Sequence, residues 1–206
     1  MHETVLLDKH LEFETKYRMD LGSLVMFKNI VSKESGLEKF LYVEGPDLYF
    51  IKPDGNFARY RKPIYGGDLE RCEVTKKFKP LGAKNNNKRK ELNVRVGNTP
   101  EDTIREDLAC EGYVFNFSIY KLCHIYNFKD ATVVFYTVYD TTNGKIDKID
   151  HFIEIEVTEE TIHKLTEHQA WDVINKYEKL LEPIGINPQK RLKKSLFEMY
   201  VRQEVR

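Results

Sequence analysis

The chain has little cysteine, no net charge and no long apolar run, and each absence excludes a class of protein. Cys72, Cys110 and Cys123 lack the Cys-x-x-Cys spacing of zinc or redox motifs, which favours a reduced, cytoplasmic setting. The 33 Lys and Arg residues balance the 33 Asp and Glu residues, so no overall field indicates nucleic acid or an acidic membrane as partner. We also expect no membrane span or signal peptide, and the sequence lacks the Gly-rich phosphate loop of common NTPases.

Charged and apolar residues alternate strictly along residues 10–18, where Glu12, Glu14 and Lys16 point one way and Phe13 and Tyr17 the other. A period of two predicts a β-strand with one charged face. The pattern returns at residues 152–157, with Glu154 and Glu156 on one face. Two such acidic strands would repel each other unless a cation lay between them.

The predicted strands between these two acidic ends carry mainly basic residues on their polar face. An ordinary solvated face would mix both signs along each strand. The middle strands instead offer Arg59 with Arg61, Thr75 with Lys77, Arg89 with Glu91, and Lys121.

The remaining elements complete a mostly antiparallel order of about eight strands in one domain, residues 1–206. Helical spacing predicts a helix after residue 20, and Thr99-Pro-Glu-Asp predicts another up to about residue 111. Gly45-Pro46-Asp47 is interpreted as the turn of a hairpin. Thr158 is expected to cap a long helix ending near Gly185, and Asn187-Pro188 to start the last helix.

An eight-stranded sheet needs covered or closed edges, and closure produces a barrel whose interior takes every second residue. With the charged faces inside, the lumen is polar and the helices pack outside on the apolar faces. Buried charges need partners or solvent. Cations bound together with a polyanion would satisfy such a lumen.

The charged motifs resemble, in order and spacing, the CYTH or triphosphate tunnel metalloenzyme superfamily over nearly the whole chain. The motifs are Glu12-x-Glu14-x-Lys16, Arg59-x-Arg61, Thr75-x-Lys77, Arg89-x-Glu91, Lys121, Asp140 and Glu154-x-Glu156. The resemblance implies an α+β fold, an eight-stranded antiparallel β-barrel (tunnel) with helices outside, including two C-terminal helices. It also implies Mg²⁺ or Mn²⁺ as cofactor and hydrolysis of inorganic triphosphate, thiamine triphosphate, a nucleoside triphosphate or an RNA 5′-triphosphate.

The resemblance also implies roles for individual residues, with a triphosphate-containing small molecule as partner and an RNA 5′ end as an alternative. The phosphates would be bound by Lys16, Arg59, Arg61, Lys77, Arg89 and Lys121. The metal would be bound by Glu12, Glu14, Glu154 and Glu156. Glu14 and Glu156 are the first choices for metal-linked catalysis, Asp140 or Glu91 would orient water or a basic side chain, and Thr75 lies in the tunnel.

Three positions depart from the family pattern and keep other functions open. Cys123 stands where the family commonly has a second basic residue, two positions after Lys121. Asn93 stands where a third charged residue often follows the Arg-x-Glu pair. Leu196 follows Ser195 where the family typically has Tyr. One alternative is a class IV-like adenylyl cyclase that makes cyclic AMP from ATP. The other is a non-catalytic binder of a nucleotide or polyphosphate. The chain would act as a monomer or homodimer, and its Lys190–Lys194 run is interpreted as a solvated helix surface.

Overall fold

The computed structural model describes residues 8–66, 72–78 and 88–202, without the side chains of residues 8–12, 88–90, 159 and 160. The strands are β1 (Asp8–Met19), β2 (Leu37–Ile51), β3 (Phe57–Arg61), β4 (Glu73–Lys77), β5 (Lys88–Arg95), β6 (Val114–Phe128), β7 (Ala131–Asp140) and β8 (Ile149–Val157). The helices are α1 (Ser23–Val31), α2 (Glu101–Cys110), α3 (Glu159–Ile162), α4 (Glu167–Leu181) and α5 (Leu196–Tyr200), with 3₁₀ turns at Glu182–Ile184 and Pro188–Lys190. No helix in these ranges is long and apolar enough to cross a membrane.

The strands form a closed antiparallel barrel in the order β1-β5-β4-β3-β2-β6-β7-β8. Strand β1 closes it by pairing twice: residues 8–13 pair with β5, and residues 14–19 pair with β8. Each strand therefore has two hydrogen-bonded neighbours, which removes the exposed edges of an open sheet. The predicted eight-stranded antiparallel barrel is confirmed.

Alternation along each strand separates an outer apolar face from the lumen. Outward-facing Phe13 and Tyr17 are buried against α1 and α4, where Phe27 and Ile174 complete a hydrophobic core. A second core forms under α2, which buries Leu108 against the outer face of β2 and β3. A fully buried side chain of this kind contributes about 1.5–3 kcal/mol relative to its exposed state. The helices are thus held outside the barrel by the residues that the sequence pattern assigns to its outer face.

The predicted hairpin turn at Gly45-Pro46-Asp47 is wrong, because β2 runs unbroken and pairs with β6 along its length. Residues 62–65 lie along the other side of β2 here, and Lys62 N–H donates to the Pro46 carbonyl at 3.2 Å. Glu44 also bonds to this segment, and backbone groups two residues apart on a strand face the same side. Pro46 therefore removes no donor from the β2–β6 pairing, and the strand tolerates it.

The C-terminal helices differ from the predicted boundaries. The structure has a short α3, then α4 starting after Thr166, whose side chain forms a capping box with Gln169. Asn187-Pro188 begins only a 3₁₀ turn, and a second capping box between Ser195 and Glu198 starts α5. A helix does start after Thr158, but it ends at Ile162, and the capping box at Thr166 starts the long helix separately by satisfying two backbone donors reciprocally.

Helix α5 covers one end of the barrel rather than lying along its side. Phe197 stacks on Phe57 of β3 with ring centroids 4.0 Å apart. Tyr200 packs with Phe117 of β6, and its hydroxyl donates to Asp150 of β8. These partners lie on the inward face of their strands, so this end of the lumen is lined by aromatic rings.

We predict that Gly45→Ala lowers the free energy of unfolding by about 1–3 kcal/mol through overpacking. A Cβ at this position would lie 2.3 Å from the backbone oxygen of Lys62, which a side-chain rotation cannot relieve. Urea denaturation would measure the change. Gly22→Ala is the matched control, because a Cβ there meets nothing within 4 Å. Equal stability of the two variants would show that residues 62–64 do not pack closely against Gly45.

Candidate functional site

The lumen holds a charged cavity of about 320 Å³. All eight strands and residues 192–197 contribute side chains to its walls. Among the described side chains, the cations that line it are Lys16, Arg59, Arg61, Lys77, Lys121, Lys193 and Lys194, and the carboxylates are Glu14, Glu91, Glu154 and Glu156. Cations outnumber carboxylates, so the cavity is suited to an anion.

Carboxylates face each other across the β1–β8 seam. Glu14 pairs in register with Glu156, and Lys16 pairs with Glu154. The Lys16 ammonium contacts Glu14 and lies 3.1 Å from Glu154, so one cation bridges the two strands. Like charges directly opposite each other are destabilising, and Lys16 offsets part of this repulsion. The sequence interpretation assigned Lys16 to phosphate binding, and the structure places its ammonium between the carboxylates of the two acidic strands.

Arg61 of β3 is held by a buried carboxylate that the sequence interpretation missed. Asp47 of β2 pairs with it in register, and two N–H groups of Arg61 donate to the two Asp47 oxygens at 2.8 Å each. Burial alone would raise the pKa of Asp47, but the charge and hydrogen bonds of Arg61 lower it to about 2. Bidentate geometry of this kind fixes the guanidinium plane. Arg61 therefore enters the lumen in one orientation.

Arg59 is positioned differently and keeps an unused donor. One Nη2–H donates to the Thr75 hydroxyl at 3.0 Å, and Thr75 in turn donates to Glu73 at 2.9 Å. The Arg59 Nε–H is buried and has no hydrogen-bond partner among the described residues. A buried donor without an acceptor is costly unless a ligand or water completes it. Thr75 itself is fully buried and lies behind Arg59 rather than on the cavity wall.

Two lysines complete the predicted basic set. Lys77 forms an ion pair with Glu91, its register neighbour on β5, and both line the cavity. Lys121 of β6 lies over the Tyr136 ring, with Nζ 4.1 Å from the ring centroid. Burial, with repulsion from Arg61, lowers the pKa of Lys121. A lumen anion would relieve both effects by favouring the charged ammonium.

Cys123 also lines the cavity and supplies no charge. Burial raises the pKa of its thiol, although Lys121 and Arg61 act in the opposite direction. The thiol is therefore neutral near pH 7. Lys121 is therefore the basic residue that β6 contributes to the cavity.

The structure does not bring Asp140 to the cavity. It ends β7, where its carboxylate accepts a hydrogen bond from the Thr142 hydroxyl at 2.7 Å and lies 3.4 Å from the Arg202 guanidinium. These contacts support the following loop. The side chains of Glu12 and Arg89 lie outside the described residues, although their backbones pair in register across β1 and β5.

Lys193 and Lys194 line the cavity, whereas the sequence interpretation placed them on a solvated helix surface. The segment that carries them is not helical. Leu192 N–H donates to the Lys16 carbonyl at 2.8 Å, and Arg191 is bound to buried Glu178 of α4. The capping box that opens with Ser195 was the available signal, because it marks a helix start and leaves the preceding residues extended.

The cavity contains donors of the type that Mg²⁺ and Mn²⁺ prefer. Glu14, Glu154 and Glu156 present carboxylate oxygens on adjacent strands, and hard divalent cations bind through one or two carboxylates with phosphate oxygens and waters. In the described part of the chain, no three His, Cys, Asp or Glu side chains are grouped closely enough to hold an ion. The donor set fits the metal in type, and bound phosphate oxygens would complete the ligands.

No protein-family model matches the sequence, and no curated protein matches it. Solved structures do match in fold. A putative adenylate cyclase from Vibrio parahaemolyticus aligns with TM-score 0.64 and 16% identity, over 92% of this chain and 97% of that one. A chain of the Schizosaccharomyces pombe Mediator head module aligns with TM-score 0.58 and 13% identity, over 84% and 95%.

The Mimivirus capping enzyme triphosphatase aligns with TM-score 0.50 and 15% identity, over 84% of this chain and 88% of that one. At these identities the matches show the fold alone. The resemblance drawn from the charged motifs is thus confirmed as a shared tunnel fold. The same fold occurs in proteins with different names and contexts, so the activity has to be argued from the cavity.

We predict that Asp47→Asn lowers the free energy of unfolding by about 3 kcal/mol at pH 7, because it leaves Arg61 charged and buried without its partner. The pKa of Asp47 falls on folding from 3.8 to about 2, so its contribution is present above pH 3.8 and is lost as the pH falls through 2. Urea denaturation of both proteins between pH 7 and 2.5 would measure this.

Asp102→Asn, at an exposed position in the first turn of α2, is the control and is expected to change stability by about 0.5 kcal/mol or less. A difference between wild type and Asp47→Asn that stayed constant down to pH 2.5 would contradict the assignment of the Asp47–Arg61 pair.

Proposed function

We propose that this chain, a tunnel with the fold of the triphosphatase and cyclase-like structures, is a divalent-metal-dependent enzyme that hydrolyses a triphosphate inside its lumen. The observation that carries the proposal is the excess of cations over carboxylates on the cavity wall, where Arg59 also keeps a buried Nε–H without an acceptor among the described residues. A phosphate oxygen would supply that acceptor. The tunnel fold and the sequence motifs support the same ligand.

The charges of the cavity suit a triphosphate better than a single phosphate. A triphosphate carries several negative charges along its length, and the cations stand on different strands, with Arg61 on β3, Lys77 on β4 and Lys121 on β6. Cations on several walls bind an extended polyanion along its length. Asp47 holds Arg61, Thr75 holds Arg59 and Glu91 holds Lys77 in place before the ligand arrives. Little reorganisation is then needed on binding.

Glu14, Glu154 and Glu156 are the residues that would hold Mg²⁺ or Mn²⁺. When bound, the metal polarises a phosphoryl oxygen and neutralises charge that develops during transfer. Lys16 contacts Glu14 and Glu154 from the same seam. It would keep both carboxylates oriented and bind a phosphate oxygen on the other side. Arg59 and Arg61 would stabilise the negative charge that develops on the transferring group.

Incubation with Mg²⁺ or Mn²⁺ and, separately, inorganic triphosphate, ATP, thiamine triphosphate and 5′-triphosphate RNA, followed by ³¹P NMR, tests the proposal. Orthophosphate is the expected product. Pyrophosphate together with cyclic AMP would identify a cyclase instead. Tight binding without any product would identify a binder, for which the neutral Cys123 is the favouring observation.

We predict that Glu14→Gln and Glu156→Gln each lower kcat about 100-fold or more, because an amide is a poor ligand for a hard cation. Steady-state phosphate release would measure this. Glu106→Gln, on the outer helix α2, is the matched control and is expected to leave kcat unchanged. Wild-type rates in both seam variants would refute the metal assignment.

We also predict that Arg59→Met weakens triphosphate binding about tenfold or more, because a charge-assisted hydrogen bond is lost from the lumen. Isothermal titration calorimetry with inorganic triphosphate would measure the Kd. Arg105→Met removes a guanidinium from α2, outside the barrel, and is expected to leave the Kd unchanged. Equal affinities of Arg59→Met and wild type would place the anion elsewhere.

A further inference from the structure

Tyr136 is an inward-facing tyrosine of β7 that belongs to none of the charged motifs. The register pairs it with Cys123 of β6 on one side and with Phe152 of β8 on the other. Lys121 and Glu154 each lie two residues away from these partners on the same face, and so they are its diagonal neighbours. Diagonal neighbours in a sheet are within reach of an aromatic side chain. Tyr136 is therefore placed to contact a cation and a carboxylate at once.

The structure shows both contacts. The Tyr136 hydroxyl donates to Glu154 Oε2 at 3.2 Å, and Lys121 Nζ lies 4.1 Å from the centroid of the Tyr136 ring. Phe152 packs on the same ring, with centroids 5.4 Å apart. Tyr136 is 1% exposed, whereas the side chain of Glu154 is 18% exposed. The carboxylate is therefore the group that a ligand can reach, and the phenol acts through it.

Both donors to Glu154 use the same carboxylate oxygen. Oε2 accepts the hydrogen bond from Tyr136 and also lies 3.1 Å from the Lys16 ammonium. Oε1 receives no hydrogen bond from the residues that the structure describes. A phenol is protonated at neutral pH and so remains a donor. Two donors on one oxygen orient the carboxylate and leave the other oxygen for a metal ion.

We propose that Tyr136 is a positioning residue that orients Glu154 so that its Oε1 binds the divalent cation. The inference rests on the proposed metal site at the β1–β8 seam. It adds a residue that supports a metal ligand without touching the metal. Loss of such a supporting hydrogen bond typically weakens metal binding by about 10- to 100-fold.

Tyr136→Phe tests the inference, because it removes the hydroxyl and keeps the ring on Lys121. Electron paramagnetic resonance of unbound Mn²⁺ would measure metal binding, with non-hydrolysable diimidotriphosphate as the anion. We expect the Kd for Mn²⁺ to rise about tenfold or more. The Kd for inorganic triphosphate, measured by calorimetry without divalent cations, should change by about twofold or less, because the contact with Lys121 is retained.

A double-mutant cycle with Glu154→Gln separates positioning from a general structural effect. If Tyr136 acts through Glu154, Tyr136→Phe should change the Mn²⁺ Kd by about twofold or less in the Glu154→Gln background. Tyr126→Phe is the matched control, because this buried tyrosine packs against Phe27 of α1 on the outside of the barrel. It is expected to leave both Kd values unchanged. Thermal unfolding of each variant checks that it is folded.

An unchanged Mn²⁺ Kd in folded Tyr136→Phe would overturn the inference. An equal loss of Mn²⁺ affinity with and without Glu154→Gln would also overturn it, because Tyr136 would then act by another route. Neither result would affect the proposed hydrolysis, which phosphate release measures separately. Failure of wild type to bind Mn²⁺ would instead overturn the metal site, and the inference with it.

Discussion

Closure of the sheet at β1 is the constraint on which the rest of the structure depends. Once β1 pairs with both β5 and β8, every second residue of eight strands is directed into one narrow lumen. Charged side chains there lose water and must find partners. Lys16 between Glu14 and Glu154 is one such partnership, and the Asp47–Arg61 pair is another. Each of these ions has a partner of opposite charge, which offsets the cost of burying it.

The same partnerships prepare the lumen for a ligand. Asp47 fixes the plane of Arg61 through two hydrogen bonds. Thr75 accepts one from Arg59, whose buried Nε–H has no partner among the described residues. The cations are therefore ordered by the barrel before an anion enters. Preorganised charge is more effective than mobile surface charge, because less entropy is lost on binding. Stability and affinity for a polyanion thus depend on the same contacts.

Much of the barrel could be predicted from the sequence, because a period of two assigns each residue to the lumen or the outside. Glu14 and Glu156 were assigned in this way, and the structure places them opposite each other. The sequence could not identify Asp47 as a lumen residue, because Gly45 and Pro46 before it are typical of a turn. The strand continues there because residues 62–65 hydrogen-bond along its free side, which no local pattern indicates. Lys193 was missed because the Ser195 capping box indicates only that its segment is not helical, whereas its place in the lumen depends on the distant backbone contact between Leu192 and Lys16.

The central claim is that the lumen binds a triphosphate and a divalent cation together. A crystal structure of the protein with Mn²⁺ and a non-hydrolysable triphosphate analogue, with anomalous data collected for manganese, tests it directly. The account predicts a manganese peak beside Glu14 and Glu156 and phosphate oxygens within hydrogen-bond distance of Arg59 and Arg61. An analogue bound outside the barrel, with the lumen arginines uncontacted, would contradict it.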